Sequence, residues 1–245
     1  RHIAAAAPDL VAFLGDYIYE WGPYQLQHPS RAMRTHESFT LDEYRARYAQ
    51  YKSDQDLQGA HLAAPWIVTW DDHEVANDYG NDRDELLTPT FLQRRAAAYQ
   101  AFYEHMPLRL DMARANDFAK LRMYQRYDWG RLARFHVLDD RQYRAWQACP
   151  PAGRGGSSSV VRRQCAALGD TQRTMLGEVQ QRWLEWQKLF LSIIPFPEIS
   201  AARSISWVLA ALRYCRKAAT ALCPPKPNEL LSACFTRRSR ATSGT

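Results

Sequence analysis

Two short apolar runs, each followed at once by carboxylates, constrain the fold of this chain most. Residues 10–14 lead into Gly15 and Asp16, and residues 66–70 lead into a loop that begins with Asp71 and Asp72. Runs of this length predict buried strands. Because sites in α/β sheets collect on the loops at the carboxyl ends of strands, the two strands predict one shared site.

The loop after the second strand carries three carboxylates and one imidazole, on Asp71, Asp72, His73 and Glu74. Taken alone, these residues are equally consistent with the capping and solvation of an ordinary loop. The same construction at the end of the first strand favours a joint functional site over that simpler interpretation.

The length and composition of the chain predict a folded domain without a membrane span. The chain has 245 residues, of which 46% are hydrophobic, which is enough to form a core. Its longest apolar stretches fall short of the roughly 18 residues that a spanning helix needs. The chain starts at Arg1 without a methionine or a secretory signal, so we expect it to be part of a longer polypeptide.

The net charge of +6 does not indicate a nucleic-acid partner, because the excess lies in one segment. Residues 201–245 contain eight lysines and arginines and a single acid, whereas the rest of the chain is nearly neutral. We therefore predict a catalytic domain over residues 1–190 and a basic tail over residues 191–245 that is disordered or non-native. A basic partner-binding tail is the alternative.

Several helices are predicted from their start signals. Thr40 and Glu43 fit a capping box for a helix that runs to Lys52, and Ser53 is a candidate cap for a second helix that ends near Leu62. Thr88 and Pro89 have the pattern of a helix start, which predicts a helix over residues 90–106. For Arg94, Arg95 and His105 on that helix, a solvated face is favoured over contact with a phosphate.

The second half of the predicted domain combines a hairpin, a loop and a helix. The pattern of residues 121–138 predicts two antiparallel strands, and the second one ends in acids and Arg141. Cys149 and Cys165 enclose a glycine- and serine-rich loop, for which a disulfide is favoured over two free thiols. Residues 175–190 predict a helix.

The residue types at the strand ends are those of a metal site that acts on phosphate esters. Asp16 and Asp72 would supply hard oxygen ligands, and a phenolate from Tyr19 would favour a highly charged ion such as ferric iron. His73 can donate a hydrogen bond to a phosphoryl oxygen or to the leaving group. Arg141 can hold phosphate oxygens in a bidentate fork.

Five stretches together resemble the PhoD-type alkaline phosphatases, a family of the calcineurin-like metallophosphoesterases. They are Gly-Asp-Tyr-Ile-Tyr-Glu at 15–20, Trp-Asp-Asp-His-Glu-Val-Ala-Asn-Asp-Tyr at 70–79, and the segments 95–107, 138–144 and 173–177. The resemblance runs from about Asp9 to Trp186. It implies an α/β fold, a calcineurin-like sandwich of mixed β-sheets flanked by helices, which we expect to be incomplete at both ends.

The resemblance also implies roles for individual residues. Asp16 matches the bridging aspartate and Tyr19 the iron-binding tyrosine, while Asp72 stands where the superfamily has an asparagine ligand and Asp71 beside it is a further candidate ligand. His73 matches the histidine that contacts phosphate. The implied metals are Fe³⁺ and Ca²⁺, and the implied reaction is hydrolysis of phosphate monoesters and diesters by an exported, secreted or periplasmic, monomeric enzyme that does not bind nucleic acid.

Part of the family's ligand set has no counterpart in the sequence. The first ligand loop would lie before Arg1, and no histidine follows His136 that could complete the later ligands. The chain therefore predicts about half of a two-metal site. An incompetent fragment, or a remnant that binds without turnover, is the alternative hypothesis.

Overall fold

The structure is a computed structural model that describes residues 1–23, 36–110 and 117–193. Its helices and strands follow the order α1 (His2–Ala5), β1 (Val11–Phe13), α2 (Leu41–Lys52), α3 (Gln55–Ala63), β2 (Trp66–Val68), α4 (Phe91–His105), β3 (Gln125–Trp129), β4 (Ala133–Val137) and α5 (Gly177–Ile193). Short 3-10 helices lie at Phe118–Lys120, Arg162–Gln164 and Ala166–Gly169. This mixture of helices and small sheets confirms the α/β class.

Two sheets of two strands each are found in these described residues. β1 and β2 are parallel, with Val11 opposite Trp66 and Phe13 opposite Val68. The Thr69 amide extends the ladder by donating to the carbonyl of Phe13 over 3.1 Å. Because the strands are parallel, their carboxyl ends and the loops that follow them lie at one edge of the sheet.

The start of α2 has the predicted capping box. The Thr40 side chain accepts from the Glu43 amide, and the Glu43 carboxylate accepts from the Thr40 amide over 2.8 Å. The predicted cap of the next helix was wrong, since α3 is capped by Asp54, whose carboxylate accepts from Leu57 over 2.9 Å. Ser53 instead ends α2, because its amide donates to the Ala49 carbonyl over 3.0 Å and so continues the hydrogen bonding of that helix.

Two predictions about α4 are corrected. The helix begins at Phe91, and Thr90 rather than Thr88 is its N-cap residue. The chain from Thr88 to Thr90 forms a turn, in which the Phe91 amide donates to the Thr88 carbonyl over 3.0 Å. Arg94 is not on a solvated face. It is 4% exposed and forms an ion pair with Glu37 at 2.9 Å, because α4 packs against α2 on that side.

Aromatic side chains from α2 and α4 form the core behind the first sheet. Tyr44, Tyr48 and Phe102 are fully buried. The Trp70 ring lies flat on that of Tyr99, with 4.1 Å between centroids. The end of the second strand is therefore fixed against α4, and the loop that follows it starts from a rigid position.

The second sheet is the predicted hairpin. β3 and β4 are antiparallel, with Gln125 opposite Val137, and Trp129 and Ala133 are the last pair before the turn. His136 on β4 packs edge-on against Trp183 of α5, with 5.9 Å between ring centroids. Cys149 and Cys165 are joined by a disulfide. No helix among the described residues is long and apolar enough to cross a membrane.

The predicted tail, residues 191–245, lies outside the described residues except for the end of α5, which continues to Ile193. Its assignment as a separate basic segment stays a prediction.

Candidate metal centre

The first part of the site is a tight turn at the carboxyl end of β1. Gly15 has φ of +92°, and a Cβ atom there would lie 2.4 Å from the backbone nitrogen of Asp71. Asp16 has φ of +57°, which is uncommon for a residue with a side chain and marks a conformation held by its surroundings. The two loops therefore touch at the backbone, and Asp16 is turned toward the loop after β2.

Three side chains from these loops form a group that could hold a cation. Asp16, Asp72 and His73 each offer one ligand atom, and these atoms lie within 4.8 Å of one another. Asp72 and His73 are 4% and 8% exposed, and Asp16 is half-buried. Two carboxylate oxygens, joined by an imidazole nitrogen when His73 is unprotonated, form a donor set that suits a di- or trivalent ion. The donor set present therefore fits part of the shell of one metal ion.

Electrostatics keep Asp72 in the form that binds metal. Burial raises the pKa of its carboxyl, but the positive charges of Arg141 and His73 lower that pKa by more, so it lies below its usual value. The Asp78 amide also donates to the Asp72 Oδ2 atom over 2.8 Å. Asp72 is thus an ionised, oriented carboxylate before any cation binds.

His73 is oriented by a buried carboxylate on the other loop. Its Nδ1 atom lies 2.8 Å from Oε2 of Glu20, a residue with no exposed surface. Burial lowers the pKa of His73, but the hydrogen bond and charge of Glu20, with the charge of Asp72, raise it to about 9. The other oxygen of Glu20 accepts from the Asn77 amide over 2.6 Å. Glu20 therefore fixes the ring plane of His73 and leaves the Nε2 atom to face a ligand or substrate.

Arg141 reaches the site from the end of β4. The Thr69 hydroxyl donates to the Leu138 carbonyl over 3.0 Å, which joins the ends of β2 and β4. The guanidinium of Arg141 contacts Asp71 at 2.6 Å and Asp72 at 3.4 Å. Its proposed contact with phosphate stays a prediction, and in this structure its charge is directed at the acidic loop.

Asp71 and Tyr19 lie beside the three-residue group and do not belong to it. The Asp71 carboxylate is paired with Arg141, as described above. The Tyr19 ring packs on the imidazole of His73 with 4.2 Å between centroids, and Trp21 meets the same imidazole edge-on at 4.5 Å. Metal binding by Asp71 and Tyr19 therefore stays a prediction, while their contacts show that both help to shape the site.

Glu20 and Glu74 are the residues whose roles the sequence did not reveal. Glu74 has no exposed surface, and its two oxygens accept from the amides of Tyr17 over 2.5 Å and Asp71 over 2.8 Å. Burial raises the pKa of Glu74 to about 8, with a further rise from the charge of Asp16, while both amides oppose that rise. The sequence shows only that each of these acids lies close to a predicted ligand. That proximity does not distinguish a residue that binds metal from one that supports the site.

The fold is that of a metallophosphoesterase-like protein, and comparison with known proteins identifies the family. The sequence model described as PhoD-like phosphatase matches residues 1–189. The chain therefore belongs to the PhoD-like phosphatase family.

Two relatives show the extent of that similarity. The chain is 44% identical over 189 residues to alkaline phosphatase D of Bacillus subtilis (strain 168), which covers 75% of this chain and 31% of that protein. A solved structure described as "Structure of PhoD" has a TM-score of 0.65 and 43% identity, covering 74% of this chain and 34% of that one. The chain thus spans about a third of the length of these phosphatases.

A second, shorter similarity leads to a different protein. Over 44 residues, the chain is 64% identical to the hydroxylase component large subunit of propane 2-monooxygenase from Mycolicibacterium smegmatis. This match covers 18% of the chain and 8% of that subunit, so it describes a short segment and not a shared domain.

Proposed function

We propose that this chain forms part of a metal-dependent phosphatase site that hydrolyses phosphate monoesters and diesters. The observation that carries this proposal is the convergence of Asp16, Asp72 and His73 from two separate loops onto one point. The similarity to alkaline phosphatase D supports the reaction class. The preferred ions are Fe³⁺ and Ca²⁺, with Asp16, Asp72 and the further candidates Tyr19 and Asp71 as their ligands.

The residues of this chain would prepare the substrate for attack. A bound cation would activate a water molecule and offset the charge that develops on the phosphoryl group. His73, held by Glu20, would donate a hydrogen bond from its Nε2 atom to a phosphoryl oxygen or the leaving oxygen. Arg141 would exchange contact with Asp71 for a phosphate oxygen once a cation offsets the carboxylate charge.

Further parts of the proposal concern the whole protein. We infer an exported enzyme, secreted or periplasmic, that acts as a monomer. The Cys149–Cys165 disulfide supports this location, because such bonds persist in oxidising compartments.

A second candidate function is binding without turnover. It is favoured by a specific observation: the described residues contain a single group of three potential ligands drawn from His, Cys, Asp and Glu, whereas a two-metal site needs more. A chain with these donors alone would hold a cation and bind a phosphate ester, but would release the ester unchanged.

The deciding experiment measures metal content and turnover on the same preparations. The purified, desalted chain and its Asp16→Asn and Asp72→Asn variants are analysed for iron and calcium and assayed with a chromogenic phosphomonoester and phosphodiester. Asp9→Asn is the matched control, since this exposed aspartate lies at the opposite end of β1. We expect the chain and the control to retain metal and both site variants to lose it.

The outcomes separate the two functions. Metal together with hydrolysis in the chain and the control, lost in both site variants, supports the phosphatase. Metal without hydrolysis supports the binding function, and no metal in any sample contradicts both.

A further inference from the structure

Glu74 is a buried carboxylate inside the site that does not belong to the three-residue group. Its Oε1 atom accepts from the Tyr17 amide, and its Oε2 atom accepts from the Asp71 amide. Tyr17 directly follows Asp16, and Asp71 directly precedes Asp72. A single side chain therefore contacts the backbone next to both candidate carboxylate ligands.

The two loops are distant in sequence, so their relative position depends on contacts between them. The β1–β2 ladder aligns the strands as far as the bond between the Thr69 amide and the Phe13 carbonyl. Past that point, the close approach of Gly15 to Asp71 sets the backbone distance. The Glu74 carboxylate continues the connection by joining the loops through its two oxygens.

The backbone around Glu74 directs its side chain into this position. The amides of Val75 and Ala76 both donate to the Asp72 carbonyl, over 2.9 Å and 2.8 Å, which forms one tight turn. This turn places Asp72 at its start and Glu74 two residues later, so the candidate metal ligand and the residue that joins the loops belong to the same turn.

A carboxylate suits this position better than its amide analogue. Both amides donate, so both side-chain oxygens must accept, and a carboxyl group has acceptor capacity on two oxygens whereas an amide has it on one. Glutamine has the same shape but would present an NH₂ donor to one of the two N–H groups. That amide would then be buried without a partner, and the two loops would separate at that point.

We propose that Glu74 is a positioning residue, which sets the distance between Asp16 and Asp72 by joining the backbones of their two loops. This inference rests on the proposed metal centre. It assigns Glu74 no contact with the metal or the substrate. Supporting residues of this kind change metal affinity by about 10- to 100-fold when they are replaced.

The test compares Glu74→Gln with Glu104→Gln, titrating each metal-free chain with Mn²⁺ by calorimetry and measuring amide hydrogen exchange on the same samples. Glu104 is a carboxylate of α4 paired with Arg45, away from both loops. We expect Glu74→Gln to weaken Mn²⁺ binding by at least tenfold per folded molecule and to accelerate exchange of the Tyr17 and Asp71 amides. We expect Glu104→Gln to match the unaltered chain in both measurements.

Each outcome decides the inference. Mn²⁺ affinity within twofold of the unaltered chain in a folded Glu74→Gln variant would overturn it. If that variant does not fold, exchange in the unaltered chain decides, since Tyr17 and Asp71 amides that exchange as fast as exposed loop amides would exclude the connection. If the unaltered chain binds no Mn²⁺ while both amides are protected and Glu74→Gln exposes them, the metal centre fails and the connection between the loops stands.

Discussion

At the scale of single residues, the site depends on backbone positions that tolerate few side chains. Gly15 combines a positive φ with a backbone contact to Asp71, so it meets two separate requirements for glycine. Asp16 keeps a positive φ despite its side chain, which places its carboxylate beside Asp72 and His73. The sequence predicted the ligands from their types, but the contact that brings them together is a property of the folded backbone.

Replacing Gly15 with alanine is expected to destabilise the chain and distort the site. The positive φ alone costs roughly 1–3 kcal/mol, and displacement of Asp71 adds to that value. Gly59→Ala is the matched control, because Gly59 lies within α3 with open space around it. Alanine at this position should raise the free energy of unfolding by about 0.5–1 kcal/mol. Urea unfolding of both variants checks the prediction, and equal stability of the two would contradict it.

At the scale of elements, the helix ends show which local signals decide structure. The capping box at Thr40 and Glu43 was predicted because both partners of the reciprocal hydrogen bonds are close in sequence. The choice between Ser53 and Asp54 as a cap could not be made in this way, since both are good caps and the end of α2 decides between them. Arg94 was misplaced because its partner, Glu37, is distant in sequence.

The helix caps provide a stability prediction with an internal control. Thr40→Ala removes the hydrogen bond from the Glu43 amide and should lower the free energy of unfolding by about 1 kcal/mol. Thr90 stands at the start of α4 but its side chain makes no capping bond, so Thr90→Ala should change it by a few tenths of a kcal/mol. Thermal unfolding of both variants tests this, and a larger loss at Thr90 would be inconsistent with the assigned caps.

At the scale of the described domain, the loop closed by the disulfide supports the acidic loop. The Gly155 amide donates to the Glu85 carbonyl over 2.8 Å, and the Ser157 hydroxyl donates to the Asp78 carboxylate over 2.6 Å. Asp78 in turn donates its amide to Asp72. A series of hydrogen bonds therefore connects the Cys149–Cys165 loop with a candidate metal ligand.

Replacing both Cys149 and Cys165 with serine should reduce the stability of the domain. Cysteines 16 residues apart close a loop whose cross-link limits the unfolded chain, which stabilises the folded state by about 3 kcal/mol. Denaturant unfolding of the double variant and of the reduced chain measures the loss, and the two should agree. An unchanged midpoint in both samples would show that the bond does not support the fold.

The sequence by itself determined the positions of β1 and β2, the capping box, the hairpin and the chemical character of the site. The predicted burial is confirmed for β2 and was wrong for β1, which is only partly buried. These features depend on near neighbours, because the strand period, the cap spacing and the turn residues are local properties of the chain. Only the tertiary structure decided that Glu20 orients His73, that Arg141 faces Asp71 and that Glu74 joins two loops. Each of these contacts links residues more than 50 positions apart in the sequence. Several acidic residues of the two loops could also have been the partner, and no local sequence pattern distinguishes between them.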